Sequence, residues 1–172
     1  MEVFEAIQAR RSVRAYDPRP IPDDVLMKIL EVGRISPSAN NFQPWHFIVI
    51  KDSKKREILS KRRWTKFLTE APVVLVGCGD KVKSPEFYVI DVSIALQQMV
   101  IAATAEGIGT CWIGDFDKKI VRNLVKLPNR YKVICLIALG YPKEEIDTMA
   151  IIERTHDRKR LDEIVSYEEF SS

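Results

Sequence analysis

The sequence predicts a single domain in which helices surround a central sheet, and three observations support this fold class. The chain has 172 residues, of which 46% are hydrophobic, so it is long enough to bury a substantial core. Apolar residues recur at helical spacing in several segments, and continuous apolar runs mark buried strands. No repeat, low-complexity tract or linker divides the chain. We therefore expect residues 1–172 to form one domain, or one exchanged half of a dimer.

Two amphipathic helices are predicted near the N-terminus. Apolar residues share one helical face within residues 3–7, and again within Val25–Gly33. The second helix follows Pro22, a residue suited to a first helical turn. An extended segment, Arg10–Pro20, lies between the two helices.

Strands and helices then alternate through the middle of the chain. His46–Lys51 is strand-like, a charged helix is expected at about residues 53–62, and the apolar run Pro72–Gly79 predicts a buried strand. Phe87–Glu106 is the longest helical pattern, is apolar on most sides, and precedes Gly107 as its C-terminal cap. An apolar surface this wide often needs a partner subunit.

The last part of the chain predicts two further strands around a short helix. The run Ile108–Gly114 indicates a strand that enters a loop, and a helix is expected from Asp117 to about Val125. A second strand follows at Lys132–Gly140. A polar tail ends the chain.

Charge does not favour a nucleic-acid-binding protein. The formal net charge is +3, although 30% of the residues are charged. A basic cluster at residues 54–63 contains Ile58 and Leu59, which suggests a short helix with one apolar face, and no aromatic-rich strand accompanies it. We interpret this cluster as a solvated helix face, with weak steering of anionic ligands as the alternative.

The pattern of apolar residues predicts no membrane partner and a cytoplasmic location. The first residues lack the basic-then-apolar order of a signal peptide. The most apolar stretch, Phe87–Ala105, is interrupted by Asp91, Gln97 and Gln98.

The cysteines and histidines support neither a disulfide framework nor a zinc site, and we expect no metal. Cys78, Cys111 and Cys135 are odd in number and far apart, and the two histidines are His46 and His156. Each cysteine lies in an apolar run, so we interpret all three as small buried hydrophobic residues.

The first candidate for chemistry is R-R-S-V-R at residues 10–14, which we call the arginine segment. Side chains alternate along extended chain, so Arg10, Ser12 and Arg14 point to one side and Arg11 faces elsewhere. Two guanidinium groups and a hydroxyl suit a phosphate and an adjacent electron-rich group. On this motif alone, a basic helix terminus that complements its own dipole is an equal alternative.

The second candidate is S-P-S-A-N-N-F-Q-P-W at residues 36–45, which we call the amide loop. It holds three of the eight amide side chains of the whole sequence, and two prolines stiffen it. Ser38, Asn41 and Gln43 offer donors and acceptors to a planar heterocycle. Ordinary Asx turns are the alternative explanation.

The third candidate is C-W-I-G-D-F-D at residues 111–117. Gly114 permits close approach of the backbone, and an aromatic neighbour suggests a flat ligand. Asp117 could also cap the following helix, which is compatible with a ligand. The sequence contains no dinucleotide fingerprint, P-loop, nucleophile elbow or H-E-x-x-H motif. If the protein is an enzyme, a bound cofactor must therefore supply the chemistry.

Taken together, four motifs resemble the nitroreductase family of FMN-dependent oxidoreductases. They are R-R-S-V-R-A-Y, P-S-A-N-N-F-Q-P-W, the long apolar helix with A-A-T-A-E-G-I-G-T-C-W-I-G, and A-L-G-Y-P. The resemblance runs from about Ala6 to Val165. It implies an α+β fold with a central, mainly antiparallel sheet flanked by helices. It also implies an intertwined homodimer whose C-terminal tail, about residues 150–172, is exchanged with the partner subunit.

The resemblance further implies two FMN sites at the dimer interface, each built from both chains. The matching phosphate and ribityl contacts are Arg10 and Ser12, and Arg14 matches the cation beside the pyrimidine edge. Four loop residues would arrive from the other subunit with Gln43 supporting them, and two residues after a strand would lie under the ring. One arginine of the tail would clamp the phosphate, and Lys66 is a further candidate near the ring. The full implied cofactor-binding set is Arg10, Arg11, Ser12, Arg14, Pro37, Ser38, Ala39, Asn41, Gln43, Lys66, Ile113, Gly114, and Arg158 or Arg160.

The implied activity is an oxidoreductase that takes hydride from NADH or NADPH and reduces a nitroaromatic, quinone or similar small-molecule acceptor in two half-reactions at one site. FMN would carry the chemistry, tuned by Arg14 and Gly114, with no catalytic side chain assigned. A flavin enzyme of the same fold with another reaction, such as reductive dehalogenation, is one alternative. A flavin-storage or nucleotide-sensing protein is the other.

Overall fold

A computed structural model describes residues 1–143 and 158–170 of the chain, with a four-stranded sheet at the centre. The helices are α1 (Val3–Ala9), α2 (Asp23–Arg34), α3 (Ser53–Leu59), α4 (Tyr88–Ala105) and α5 (Lys118–Leu124), and the strands are β1 (Trp45–Ile50), β2 (Val73–Asp80), β3 (Gly109–Ile113) and β4 (Tyr131–Gly140). The strand order is β1-β2-β4-β3, and every neighbouring pair is antiparallel. The predicted α+β fold with a mainly antiparallel sheet is confirmed.

Strand β2 has both of its faces covered, which explains its continuous apolar sequence. All eight of its residues are buried. Val74 and Val76 face a core that includes residues of α3 and α5. Val73 and Leu75 face a second core that includes residues of α2 and α4. Because side chains alternate across a strand, a sheet with a core on both faces needs apolar residues at every position.

Helix α4 is a core helix, although by length and composition it is long and apolar enough to span a membrane. One of its faces buries Val92, Leu96 and Met99 in the core that it shares with α2. A Cβ built at Gly77 would lie 2.6 Å from Cδ1 of Leu96, so the glycine lets α4 approach the sheet closely. After α4, Gly107 has the left-handed conformation (φ 75°) predicted for a C-terminal cap.

The opposite face of α4 is exposed and apolar. Val89, Ile90 and Ile94 are 44%, 55% and 38% exposed. Together with residues of α1 they line an open groove of about 850 Å³. Exposed apolar patches of this kind mark contact surfaces, in line with the sequence-based expectation of a partner subunit.

The structure contradicts part of the prediction that the basic cluster at residues 54–63 is a solvated helix face. Helix α3 ends at Leu59 rather than near residue 62. Lys54 and Lys55 are exposed, as predicted, but Arg56 is half-buried. Its Nη1 donates to the carbonyl oxygens of Thr69 (2.8 Å) and Ala71 (2.6 Å), and burial lowers the pKa of its guanidinium. The prediction of a wholly solvated face was therefore wrong for Arg56, which instead supports the chain before β2.

All three cysteines are buried, as expected for small hydrophobic residues. Burial raises the pKa of the Cys78 thiol to about 12 and that of the Cys135 thiol to about 11. A thiol with so high a pKa is a poor nucleophile at neutral pH. His156 lies outside the described residues.

Candidate functional site

The arginine segment lies beside β3 at the edge of the sheet. Ser12 pairs with Thr110 in a parallel bridge, and the N–H of Val13 donates to the carbonyl oxygen of Thr110 at 2.9 Å. Val13 and Tyr16 are buried, and the Tyr16 hydroxyl donates to the Val13 carbonyl at 2.6 Å. These contacts fix the backbone that carries the predicted phosphate-binding residues.

The polar residues of this segment differ in exposure. Arg10, Ser12 and Arg14 are half-buried, whereas Arg11 is exposed. Nη1 of Arg14 is a buried atom. Two guanidinium groups and one hydroxyl therefore lie in partly shielded surroundings, where charge-assisted hydrogen bonds to an anion are stronger than in bulk water.

The amide loop has an unusual backbone. Asn40, Asn41 and Gln43 have positive φ angles of 46°, 54° and 47°, a region that non-glycine residues seldom adopt and that asparagine tolerates best. Gln43 N–H donates to Oγ of Ser38 at 2.8 Å, and Nε2 of Gln43 donates to Oδ1 of Asn41 at 3.0 Å. Ser38 and Gln43 thus brace the loop from within. Backbone strain of this kind is common at binding sites.

Asp91 on α4 ties the loop to the rest of the chain. The N–H of Ala39 donates to Oδ1 of Asp91 at 3.0 Å, and the Ser84 hydroxyl donates to Oδ2 at 3.4 Å. Asp91 is only 3% exposed. Sequence reasoning treated this residue as an interruption of an apolar run and missed its role.

Two further polar residues of α4, Gln97 and Gln98, also contact predicted site segments. Oε1 of Gln98 accepts from the Ser36 hydroxyl at 2.7 Å. Oε1 of Gln97 accepts from Nε1 of Trp112 at 3.2 Å. The sequence signal for these contacts was the presence of polar residues in an otherwise apolar helix, because buried polar groups need hydrogen-bond partners.

Gly114 follows β3 and exposes open backbone. A Cβ built there would meet no atom within 4 Å, so this chain itself does not require glycine at the position. The preceding Ile113 is buried at 5% exposure. Asp115, the residue after Gly114, forms an ion pair with Arg62 at 2.9 Å. Gly114 lies four residues beyond Thr110, or about 13 Å along extended chain.

The arginine segment and the amide loop lie at opposite edges and opposite ends of the sheet. The loop leads into β1, and its Pro44 carbonyl accepts from the N–H of Asp80, which is opposite the first residue of β4. The arginine segment lies beyond β3, where Thr110 pairs with the penultimate residue of β4. With strands about 4.8 Å apart and about 3.4 Å per residue, the two segments are on the order of 30 Å apart. One chain alone does not bring them together around a single small ligand.

The comparisons with known proteins identify the family. The family model described as "Nitroreductase family" matches residues 7–68 and 59–141 of this chain. The chain belongs to the nitroreductase family.

Individual nitroreductase relatives match over nearly their whole length. A provisionally named NADH dehydrogenase/NAD(P)H nitroreductase of Archaeoglobus fulgidus is 37% identical over 157 residues, which cover 85% of this chain and 88% of that protein. The crystal structure of a nitroreductase family protein from Clostridium difficile 630 has 33% identity and a TM-score of 0.85, and the match covers 99% of this chain and 100% of that chain. An FMN-dependent nitroreductase from another Clostridium difficile strain has 28% identity and a TM-score of 0.83, with 97% and 99% covered. The predicted family is confirmed.

The remaining residues that the nitroreductase resemblance implied are exposed. Lys66 is exposed, next to Phe67, whose ring centroid lies 6.3 Å from that of Tyr16. Arg158 is exposed, and Arg160 pairs with Asp162 at 2.7 Å within the tail. Residues 150–157 and 171–172 of the predicted exchanged tail lie outside the described residues.

Proposed function

We propose that this chain is an FMN-dependent oxidoreductase that takes hydride from NADH or NADPH and reduces a nitroaromatic, quinone or similar small acceptor. One observation carries the proposal: a partly shielded set of cations lies beside Thr110, and open backbone at Gly114 lies about 13 Å further along the same strand. This spacing suits a phosphate at one end and a flavin ring at the other. The enzyme class and both predicted cofactors agree with the names of the nitroreductase relatives.

The donor set of the arginine segment fits the phosphate end of FMN. Arg10 would bind the phosphate with two parallel N–H donors, and Ser12 would donate to the phosphate or the ribityl chain. Both side chains are half-buried, so salt screens them less than it screens a surface arginine. Arg11, which is exposed, would contribute only long-range charge.

The open backbone after β3 fits the ring end. FMN, when bound, supplies the ring that accepts hydride from the donor and passes electrons to the acceptor. Gly114 and Ile113 would lie under that ring, where an N–H can approach because no Cβ is present. Arg14 would place its charge at the pyrimidine edge, and Lys66 would lie near the ring. Donor and acceptor would use the same open face in turn, as a two-step mechanism requires.

The amide loop would reach the flavin from a second copy of the chain. In one chain the loop and the arginine segment are on the order of 30 Å apart, farther than one FMN molecule extends. In a homodimer Pro37, Ser38, Ala39 and Asn41 could complete the site of the other subunit, with Gln43 bracing them. The apolar groove on α4 supports such a dimer.

The C-terminal tail would be exchanged between the two subunits. Leu161, Ile164, Tyr167 and Phe170 are 73%, 62%, 88% and 91% exposed, so the described part of the tail leaves large apolar side chains without cover. Exchange would bury them on the partner subunit and bring Arg158 or Arg160 to a phosphate. Like the exchange, a cytoplasmic location stays a prediction.

The test is an absorbance spectrum of the purified protein, followed by anaerobic mixing with NADH and with NADPH. We expect a yellow protein that releases FMN rather than FAD, bleaches with at least one nicotinamide, and has the mass of a dimer. A colourless protein that takes up no added FMN would contradict the proposal. Bound FMN that neither nicotinamide bleaches would favour flavin storage, and product analysis with halogenated and nitroaromatic acceptors would separate the two reductase activities.

A further inference from the structure

We infer that Asp91 is a positioning residue of the flavin site, and that it acts by holding the amide loop in the shape that the other subunit's flavin requires. The inference rests on the proposed function, because it presumes that the loop touches FMN. It adds a residue that lies on α4, outside every segment predicted to contact the cofactor.

The contact has the ordinary length of a hydrogen bond, and its acceptor residue is shielded from water. Oδ1 of Asp91 accepts from the Ala39 N–H at 3.0 Å, and the residue is 3% exposed. Ser84 occupies the other oxygen at 3.4 Å. A hydrogen bond to an acidic side chain in such surroundings is stronger than one between neutral groups. It joins residues 52 positions apart in sequence, so it fixes the loop relative to α4 rather than within itself.

The loop needs such a tie because its own conformation is unfavourable. Three non-glycine residues within four positions have positive φ angles, and such strained residues persist only where the surrounding structure imposes their conformation. The internal bond from Gln43 to Ser38 closes the turn. The bond from Ser36 to Gln98 and the bond from Asp80 to the Pro44 carbonyl hold the two ends of the loop. The bond to Asp91 ties the turn between those ends to α4.

The position of Asp91 also links the loop to the dimer contact. Ile90 and Ile94, on the neighbouring positions of the same helical turns, are exposed on the apolar face of α4. If that face packs against a second copy, the turn of α4 that binds Ala39 is the turn held by the dimer. The loop would then have a fixed position relative to the partner's flavin.

Two variants break the contact from opposite sides. Asp91→Ala removes the acceptor. Ala39→Pro removes the donor, and proline is tolerated at the first position of a helical turn, which Ala39 occupies in the short turn Ala39–Asn41. Asp91→Asn keeps an acceptor oxygen and serves as the conservative variant. The matched control is Asp52→Ala, which removes a similar carboxylate–N–H bond, to Lys55 at 2.8 Å, beyond the end of β1 that is opposite to the loop.

We expect Asp91→Ala and Ala39→Pro to weaken FMN binding about tenfold or more, the factor that belongs to a hydrogen bond with a charged group. Asp91→Asn should bind within about threefold of wild type, because its amide oxygen still accepts from Ala39. Asp52→Ala should keep wild-type affinity while losing some thermal stability. The visible circular dichroism of the bound flavin should change in the first two variants only. Amide exchange at residues 40–43 should be faster in them even without FMN.

Mixed dimers test whether the loop serves the other subunit. One chain carries Arg10→Ala and the other carries Asp91→Ala, with different affinity tags. If the loop crosses the interface, both defects fall in one site, and the second site is wild type. Half of the sites should then bind FMN with wild-type affinity. If each loop serves its own chain, every site carries one defect and no wild-type site is recovered.

The outcomes separate this inference from the proposed function. A wild-type protein that bound no FMN would overturn both. Wild-type FMN affinity in Asp91→Ala and Ala39→Pro, with FMN bound normally by the parent, would overturn the role of Asp91 alone. Equal losses in Asp91→Ala and Asp52→Ala would also overturn it, since they would report general destabilisation. Mixed dimers without a wild-type site would overturn action on the partner's flavin.

Discussion

Asp80, 1% exposed at the end of β2, accepts hydrogen bonds from Nε (2.8 Å) and Nη2 of Arg130, which precedes β4. Its other oxygen accepts from the backbone N–H groups of Val82 and Lys83 at 3.0 and 3.1 Å. Burial raises the pKa of the Asp80 carboxyl. The bonds from Arg130, Lys83 and Val82 outweigh burial, so the pKa lies below its ordinary value of 3.8.

This pair predicts a specific pH dependence of stability. Because the pKa of Asp80 is lower in the folded state, the pair stabilises the fold above pH 3.8, and this contribution is lost as pH falls through the folded pKa. Arg130→Ala should therefore lower the free energy of unfolding at pH 7, and the difference from wild type should shrink below pH 3.8. Urea unfolding at several pH values between 3 and 7 measures this. A difference that stayed constant over the whole range would contradict it.

The control for this prediction is Arg34→Ala. Arg34 pairs with Glu31 at 2.6 Å, but both side chains are more than half exposed. Exposed pairs contribute little to stability. Arg34→Ala should therefore leave the free energy of unfolding nearly unchanged at every pH.

The fold could be predicted where local sequence determines structure, and the site only in part. The patterns at Pro72–Gly79 and Phe87–Glu106 correspond to β2 and α4 within one or two residues. A strand buried on both faces has a continuous apolar sequence, and α4 is apolar on its exposed face as well as on its buried one. Asp117 caps α5 as expected, accepting from Lys119 and Ile120. The strand order and the bond from Ala39 to Asp91 could not be predicted, since both depend on contacts between residues far apart in sequence.

Arg56 is a further residue whose contacts could not be predicted from the local sequence. The other basic residues of the cluster are exposed, and nothing in the local pattern distinguishes Arg56 from them. Only the approach of residues 69–71 makes it a donor to backbone carbonyls. The local pattern therefore predicts that a charged side chain is solvated, whereas tertiary packing can give the same side chain a structural contact.

Substitution by alanine should affect stability at one glycine and FMN affinity at another. At Gly77 the new Cβ would meet Cδ1 of Leu96 at 2.6 Å, and such overpacking costs about 1–3 kcal/mol. At Gly114 the new Cβ meets nothing within 4 Å, so stability should hold while FMN affinity falls. Thermal melts of the apo proteins and FMN titrations separate the two effects. Unchanged FMN affinity in Gly114→Ala would place the ring elsewhere.

Arg10→Ala should weaken FMN binding and make it less sensitive to salt. A charge-assisted phosphate contact contributes about 1.5–3 kcal/mol, and salt screens the part that stays exposed. If Arg10 only complements the dipole of α1, the variant should instead lose about 0.3–1 kcal/mol of stability and keep its flavin affinity. FMN titrations at two salt concentrations, with thermal melts, decide between these results. Arg11→Ala is the matched control, because Arg11 is adjacent but exposed.

Arg14→Gln should lower the two-electron reduction potential of bound FMN and slow its reduction by nicotinamide more than it weakens FMN binding. In extended chain Arg14 lies up to about 13 Å beyond Arg10, so it can reach the ring when Arg10 holds the phosphate. A guanidinium there stabilises the negative charge that two-electron reduction leaves at the pyrimidine edge, and it does not deprotonate. If the variant loses about 1.4 kcal/mol of the stabilisation that Arg14 gives to reduced over oxidised flavin, the reduction potential should fall by about 30 mV.

The half-buried position of Arg14 makes the shift larger than that of a surface cation. Glutamine keeps a donor and most of the stem, so a changed potential reports charge rather than packing. A redox titration of both proteins with FMN bound, paired with rapid-mixing reduction by NADH and NADPH, measures the two quantities. An unchanged potential together with an unchanged reduction rate would remove Arg14 from the ring. The flavin-facing role would then pass to Lys66 or to backbone donors near Gly114.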